Sequence, residues 1–291
     1  MAVNLTTKVQ PYVDEVFTKE SKKSLLTNTD FDWTGAHTVK IHKVNTVSMN
    51  DYDRDGDTVG KAASASDSTI VTSRYGSYGK VENTYEEFTL RKDRSFTFVI
   101  DKLDTDETGQ VLSGASALAR QQREVIIPEV DKYTYGIMAA GAGTKVTDVT
   151  LTNANIYGEI IKGSCLLDNK DVPETGRVLV VTPDTYLLMK KCSDIIMNTD
   201  IGEDMRLKGV IGNLDGMAVM KIPAGRLPAK AGFMIAHPVA TVAPTKLEEY
   251  KIHQDPPGVS GQLVEGRICY DAFVLDNKKF AIYYEENKPS A

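Results

Sequence analysis

The sequence predicts a mixed α+β fold, and three patterns lead to this prediction. Apolar and polar residues alternate over residues 85–90 and 95–100, as they do in β-strands. Apolar residues recur in steps of three and four over residues 104–140, as on one face of a long helix. Residues 150–230 alternate helical and strand patterns, and residues 231–286 return to strands.

Composition narrows the class of protein. The chain has 291 residues, of which 41% are apolar and 25% charged, as in an ordinary folded protein. Its net charge of −6 argues against direct nucleic-acid binding, because proteins that bind phosphate groups are normally basic. Cys165, Cys192 and Cys269 lack C-x-x-C spacing, which favours reduced thiols over a zinc or redox site. We expect neither a signal peptide nor a membrane span.

The first 35 residues are typical of an arm. Val9, Val13, Val16 and Phe17 can share one side of a short amphipathic helix. This apolar stripe is too thin to fold alone, so the arm must pack on the body of its own chain or on a neighbour.

Residues 36–100 are predicted to form strands and loops. A strand over residues 39–44 precedes a polar loop over residues 49–68. Residues 85–90 and 95–100 then predict a β-hairpin that turns at Arg91–Arg94. The hairpin carries Glu86, Glu87, Arg91, Lys92, Asp93 and Arg94. A two-stranded ribbon is marginal by itself and needs support from elsewhere.

The long helical pattern begins with Asp104 or Thr105 as its cap. Pro128 removes one backbone donor inside the pattern, so we expect a bend at residues 124–128. Thr182 and Pro183 predict the start of a later helix that follows a buried strand. Near the C-terminus we predict strands over 232–237, 245–253, 266–275 and 279–284, with a hairpin turn at 276–278.

Five stretches, in this order, resemble the major capsid proteins of tailed bacteriophages with the Hong Kong 97-type fold. They are FTFVIDKLDTDETG, VIIPEVDKYTYGIMA, RVLVVTPDTYLLMK, FMIAHPVA and CYDAFVLDNKKFAIYY. The resemblance covers essentially the whole chain. It implies an N-terminal arm (1–35), an extended E-loop region with a β-hairpin (36–100), a bent spine helix of a peripheral domain (101–144), an axial α/β domain (145–230) and peripheral-domain strands (231–291).

The resemblance also implies a function. The chain would be a structural protein that assembles with itself, as pentamers and hexamers, into an icosahedral shell in the bacterial cytoplasm. The shell would become the virion capsid and enclose double-stranded DNA without sequence-specific binding. Portal, scaffolding and decoration proteins are the other partners implied, and the absence of a long pro-segment favours a separate scaffolding protein. No catalytic residue, cofactor, metal or Lys–Asn cross-link is assigned.

The predicted contact residues with neighbouring subunits lie in the charged ribbon and in the arm. They are Glu86, Glu87, Phe88, Arg91, Lys92, Arg94, Val13 and Phe17. In the competing interpretation, the ribbon is a solvated edge hairpin guarded by its charges.

One local motif points to a metal. Asp51, Asp53, Asp55 and Gly56 match the opening of a calcium loop, D-x-D-x-D-G. The twelfth position, where such a loop needs a bidentate glutamate, is Ala62. A solvated acidic loop is therefore favoured.

Two alternatives remain at the level of sequence. An encapsulin, a bacterial shell that encloses cargo enzymes, would share the fold. A soluble α/β enzyme or calcium-binding module is the alternative of another class. The sequence has neither a G-x-S-x-G nor a P-loop motif, which counts against the enzyme.

Overall fold

The computed structural model describes residues 21–28, 30–31, 33, 38–64, 67–107, 113–193, 195 and 210–288. These residues fall into two compact units. The body comes from the segments 1–34 and 90–291, and the ribbon unit from residues 35–89. No helix in this described part is both long enough and apolar enough to cross a bilayer.

The helices of the described residues are α1 (Lys102–Glu107), α2 (Gly114–Gln121), α3 (Ile127–Gly141), α4 (Ile156–Asp168) and α5 (Pro183–Lys191). A π-helical segment spans Gln122–Ile126, and 3-10 segments span Lys23–Leu25, Ala224–Arg226, Pro238–Ala240 and Asp276–Ala281. The strands are β1 (Thr38–Val44), β2 (Ala62–Ser64), β3 (Asp67–Ile70), β4 (Asn83–Thr89), β5 (Lys92–Asp101), β6 (Thr144–Val146), β7 (Val178–Val181), β8 (Val210–Leu214), β9 (Met217–Lys221), β10 (Ala231–Ala236), β11 (Thr241–Val242), β12 (Thr245–Gln254), β13 (Gly261–Tyr270), β14 (Phe273–Val274) and β15 (Ile282–Glu286).

A six-stranded sheet in the order β6-β15-β10-β7-β9-β8 forms the centre of the body. Successive side chains of a strand point to opposite faces. In β7, Val178 and Val180 therefore join one core with α3, whereas Leu179 and Val181 join another with α4 and α5. All four side chains are buried because helices cover both faces of the sheet.

The predicted start of α5 is confirmed. The Thr182 side chain accepts a hydrogen bond from the Thr185 backbone N–H, and Pro183 is the first helical residue. Both features depend only on residues that are neighbours in the sequence, so distant contacts do not alter the prediction.

The predicted helix over 104–140 is interrupted in the structure. Ser113, and neither Asp104 nor Thr105, caps α2, and α1 is a separate helix of six residues. The π-helical segment follows α2 directly, and the Ile127 N–H donates to the Gln122 carbonyl in its wider turn.

Pro128 explains the position of this segment. Its ring cannot donate a hydrogen bond and would clash with the carbonyl of Glu124, four residues earlier. The helix therefore widens by one residue just before the proline. The irregularity lies where the sequence predicted a bend.

The predicted hairpin of residues 85–100 is wrong in its pairing. Both strands exist, but β4 pairs with β1 within the ribbon unit, and β5 pairs with β13 within the body. The predicted turn at Arg91–Arg94 is wrong, because residues 92–94 belong to β5. The Arg91 N–H donates a hydrogen bond to the Asp271 carboxylate.

Two further expectations are corrected in the second half of the chain. Residues 276–278 do not turn a hairpin, since they lie in a 3-10 helix, and β14 and β15 pair with β11 and β10. The true hairpin of this region joins β12 to β13 around the predicted loop at 256–261. Strand β8, predicted as loop, pairs with β9 at the edge of the central sheet.

Candidate assembly surfaces

The ribbon unit is built on β1 and β4, which pair antiparallel over their whole length. Lys40 lies opposite Glu87, with 3.9 Å between Nζ and Oε2, and Lys43 forms an ion pair with Glu86. Lys40 also lies 4.7 Å from the centre of the Tyr85 ring. The two glutamates predicted to reach a neighbour therefore have cross-strand partners in their own chain.

Exposed apolar side chains are concentrated in the ribbon unit. Met49 is 98% exposed, Tyr78 81% and Tyr75 78%. The other large exposed apolar side chains of the unit are Val44, Val47, Tyr52, Val59, Ile70, Val81 and Tyr85. Val71 is the one buried apolar side chain among the unit's described residues. Large exposed apolar patches are uncommon on monomeric soluble proteins and are typical of interaction sites.

The basic residues of the predicted contact set belong to the body. Lys92 lies 5.0 Å from the centre of the Tyr133 ring, and Arg94 places Nε 2.8 Å from Oε1 of Glu129. Tyr133 and Glu129 are both on α3. The side chains of Lys92 and Arg94 are thus directed to a helix of their own subunit.

The backbone N–H of Arg91, and not its guanidinium group, donates the hydrogen bond that fixes this residue. The buried Asp271 carboxylate accepts the Arg91 N–H at 2.8 Å, the Tyr133 hydroxyl at 2.7 Å and the Ala272 N–H at 2.8 Å. The Arg91 side chain remains exposed. Burial, together with this hydrogen bond to a carboxylate, raises the pKa of Tyr133.

A buried ion pair anchors the beginning of the described chain. The Asp131 carboxylate accepts hydrogen bonds from Arg226 Nη1 at 2.8 Å and from the Ser21 hydroxyl at 2.5 Å. Asp131 and Arg226 are both more than nine-tenths buried. Burial lowers the pKa of nearby Lys23, and the Asp131 charge opposes that shift. Residues 21–23 are therefore fixed on α3, whereas Val13 and Phe17 lie outside the described residues.

A third buried carboxyl, that of Glu285, lies on β15. The Tyr283 hydroxyl donates to Oε2 of Glu285 at 2.7 Å. Burial raises the pKa of Glu285, and the charge of Glu159 adds to the increase, whereas Lys162 and the Tyr283 hydrogen bond oppose it. The protonated form of this carboxyl is therefore favoured relative to an exposed glutamate.

The family of the chain is shown by its sequence. A family model described as phage capsid protein matches residues 84–283. The chain belongs to the phage capsid protein family. No curated protein sequence matches it.

Solved phage structures share the fold of this capsid protein. A chain of Mycobacterium phage Che8 matches with a TM-score of 0.73 at 17% identity, over 99% of this chain and 98% of that one. The mature capsid of bacteriophage PhiM1 matches with a TM-score of 0.66 at 14% identity, over 99% of this chain and 93% of that one. The capsid of Cyanophage P-SCSP1u matches with a TM-score of 0.69 at 12% identity, over 98% of this chain and 93% of that one. The predicted family and its Hong Kong 97-type fold are confirmed.

The acidic loop of the capsid protein is closed by its own backbone. The Asp53 carboxylate accepts hydrogen bonds from the Gly56 N–H at 2.8 Å and from the N–H and hydroxyl of Thr58 at 2.7 and 2.6 Å. These bonds, the Thr58 hydroxyl foremost, hold the pKa of Asp53 well below its usual range. Within the described ranges, no three acidic, histidine or cysteine side chains form a group that could hold a metal ion.

The predicted contact residues are divided between the two units. Glu86, Glu87 and Phe88 lie on β4 in the ribbon unit, whereas Arg91, Lys92 and Arg94 belong to the body. Sequence reasoning also missed the exposed apolar residues of the capsid protein, because it treated residues 49–68 as a polar loop. The available signal was the recurrence of tyrosine and valine among glycines at 71–81.

Proposed function

We propose that this capsid protein joins its neighbours in the shell chiefly through the apolar side chains of the ribbon unit. The observation that carries the proposal is their exposure, above all that of Met49, Tyr75 and Tyr78. Burying an apolar side chain of this size stabilises an interface by about 1.5–3 kcal/mol. A second copy of the chain is the partner that a self-assembling protein always has at hand.

The charged residues have a secondary role in this proposal. Exposed ion pairs such as Lys40–Glu87 contribute only ~0–1 kcal/mol each. Contacts of Glu86, Glu87, Arg91, Lys92 and Arg94 with a neighbour would fix the register between subunits more than the affinity. Phe88 is half-buried and would add a smaller apolar contact.

The proposal extends to the course of assembly. Pentamers and hexamers of the chain would form a precursor shell in the host cytoplasm around a separate scaffolding protein, with a portal at one vertex and a decoration protein as an optional outer partner. The shell would enclose double-stranded DNA without reading its sequence. The net charge of −6 supports containment over binding, because an acidic wall does not hold phosphates.

Co-expression with the scaffolding protein tests the apolar contact. We expect Tyr75→Ser combined with Tyr78→Ser to reduce the yield of closed particles at least about tenfold, which corresponds to ~1.4 kcal/mol at the interface. Negative-stain microscopy and light scattering measure the yield. Leu187→Ser, at an exposed leucine of α5 in the body, is the matched control.

The outcomes separate the alternatives. Unchanged particle yield in the double variant, with the control also unchanged, would refute a role of the ribbon unit. Reversal of Arg91, Lys92 and Arg94 to glutamate tests the charges in the same assay. A larger loss in this triple variant than in the tyrosine variant would reverse the proposed ranking of apolar over charged contacts.

A further inference from the structure

His237 follows β10 and makes two hydrogen bonds through its half-buried ring. Its Nε2 lies 3.0 Å from the carbonyl oxygen of Thr175, in the loop before β7. The backbone N–H of Val239 donates to its Nδ1 at 3.2 Å, which caps the 3-10 segment Pro238–Ala240. Histidine is the side chain that changes its charge near neutral pH. The protonation state of this ring therefore decides whether both bonds can form.

The geometry requires a neutral ring. A backbone N–H can only donate, so Nδ1 must carry a lone pair in order to bind Val239. A carbonyl oxygen can only accept, so the proton of the neutral ring belongs on Nε2, facing Thr175. An imidazolium carries a proton on both nitrogens, and its Nδ1–H would face the Val239 N–H. Protonation of His237 therefore removes the cap of the 3-10 segment.

The capped segment also binds the arm base, by which we mean the described residues from 26 to 33. The Asn28 side-chain amide donates to the Val239 carbonyl at 3.1 Å. The Asn28 N–H donates to the Thr241 carbonyl at 2.9 Å, and Asn28 forms a parallel bridge with Val242. Val239 thus gives its N–H to the histidine ring and its carbonyl to the arm base.

Apolar contacts of the arm base lie in the same part of the body. Leu26 is fully buried in the core between α3 and the central sheet. The Trp33 ring stacks on Phe273, with 5.5 Å between the ring centres. Phe273 lies opposite Val242 in the pair of β14 and β11. The strand pair that directly follows the capped segment therefore carries both the backbone bond and the ring contact of the arm base.

The elements next to His237 are the loop at 172–177, the 3-10 segment Asp276–Ala281 and the arm base. Their titratable residues are Glu174, Arg177, Asp276, Lys278, Lys279 and Asp30. Arg177 forms an ion pair with Asp168, with 2.6 Å between Nη1 and Oδ1. Lys279 lies 5.8 Å from the centre of the Phe280 ring. Both described bonds of the His237 ring go to backbone atoms, so they depend on its tautomer and not on an ion pair.

We propose that His237 is a positioning residue that makes the attachment of the arm base sensitive to pH. The neutral ring accepts the Val239 N–H and holds the segment that binds Asn28. The imidazolium does not accept this bond, so acid shifts the equilibrium toward an open attachment. The stabilisation by His237 is present at neutral pH and is lost as the pH falls. This inference is independent of the role proposed for the ribbon unit.

Hydrogen exchange in the full-length, unassembled chain tests the proposal. The exchange rate of the Asn28 N–H, corrected for the intrinsic effect of pH, measures how often the attachment opens. Histidine ordinarily gains its second proton near pH 6.5, and about one pH unit lower the protonated form is favoured about tenfold. Opening should therefore increase by about threefold to tenfold from about pH 7.5 to about pH 5.5. Amides of β7 in the central sheet are the internal reference and should show no such increase.

Three variants separate titration from packing. His237→Asn keeps an oxygen that can accept the Val239 N–H, because asparagine is a preferred cap, but it does not titrate. The attachment should then stay closed at both pH values. His237→Ala removes the acceptor and should open the attachment to the same extent at both. His253→Asn, at an exposed histidine that lies 3.3 Å from Glu265, is the matched control and should keep the wild-type response.

The outcomes decide the proposal even if His237→Ala does not fold, because the unchanged chain and His237→Asn carry the comparison. An exchange rate of Asn28 that does not change with pH in the unchanged chain would overturn it. An increase of the same size in His237→Asn would assign the response to another group and overturn it as well. So would an equal increase at β7, since the whole body would then open in acid.

Discussion

The central sheet and the ribbon unit place their apolar side chains in different surroundings. In β7 all four side chains are buried, because α3 covers one face of the sheet and α4 and α5 cover the other. In β1 exposed and half-buried positions alternate, and none is fully buried. The body thus completes its own core, whereas most large apolar side chains of the ribbon unit are exposed.

One ion pair from each region shows how burial changes the cost of losing a partner. The body buries the Asp131–Arg226 pair almost completely, while the ribbon unit leaves Lys40–Glu87 half exposed. Removing one partner of a buried pair is costly because the other charge stays buried. Removing one partner of an exposed pair costs little because water replaces it. Four predictions test these differences between the body and the ribbon unit, beginning with the largest expected effect.

Arg226→Ala should destabilise the body by about 3–5 kcal/mol, because it leaves the Asp131 carboxylate buried without its partner. Glu87→Gln in the ribbon unit should cost only ~0–1 kcal/mol. Urea denaturation of the unassembled protein measures both. Equal losses would abolish the contrast between the two regions.

Leu179→Ala should cost about 2–5 kcal/mol, since it opens a cavity between the central sheet and α4. The matched truncation Val44→Ala removes a side chain that is mostly exposed and should change the free energy of unfolding by less than ~0.5 kcal/mol. If the two midpoints shifted alike, the ribbon unit would have an apolar core of its own.

Glu285→Gln should stabilise the body at neutral pH. The pKa of Glu285 is raised in the folded protein, so its contribution to stability is present below the ordinary value of 4.5 and is lost as the pH rises through the raised pKa. Glutamine does not ionise, and its oxygen can still accept the Tyr283 hydroxyl. The gain should therefore vanish toward pH 4.5 in denaturation curves recorded across this range, and a gain independent of pH would contradict the ionisation as its cause.

Tyr78→Ser should have the smallest effect on folding, less than ~0.5 kcal/mol, because this side chain is 81% exposed in the subunit. Thermal unfolding of the unassembled chain measures it. A loss of several kcal/mol would show that the ribbon unit uses this tyrosine for its own stability, and the proposed role in assembly would then need another residue.

The features that could be predicted from the sequence are those with local causes. Thr182 and Pro183 predict the start of α5 from two adjacent residues. Pro128 predicts an irregularity at the π-helical segment. Strand pairing was mispredicted because its cause is distant. Strand β5 pairs with β13, where Asp101 lies opposite Gly261, and no pattern within residues 85–100 encodes that partner.

Only part of the candidate contact surface could be predicted, because the rest depends on contacts that are distant in sequence. Charge is visible in a sequence, so Glu86 and Glu87 were found, but their cross-strand partners Lys43 and Lys40 depend on the register of β1 and β4. Exposure of Tyr75 and Tyr78 depends on the absence of a covering layer within the described part of the unit. The sequence pattern does not show whether a second layer covers a strand. Apolar and polar residues alternate in the same way whether the apolar face is covered or exposed.

The strand order of the central sheet has a consequence for synthesis on the ribosome. Strand β6 is hydrogen-bonded only to β15 within the described sheet, and β15 ends at Glu286. The sheet therefore cannot close until β15 has left the exit tunnel. Pairings so distant in sequence form slowly, since the intervening chain must be ordered before they form. A nascent chain that has exposed its ribbon strands but not yet β15 therefore has an unfinished central sheet.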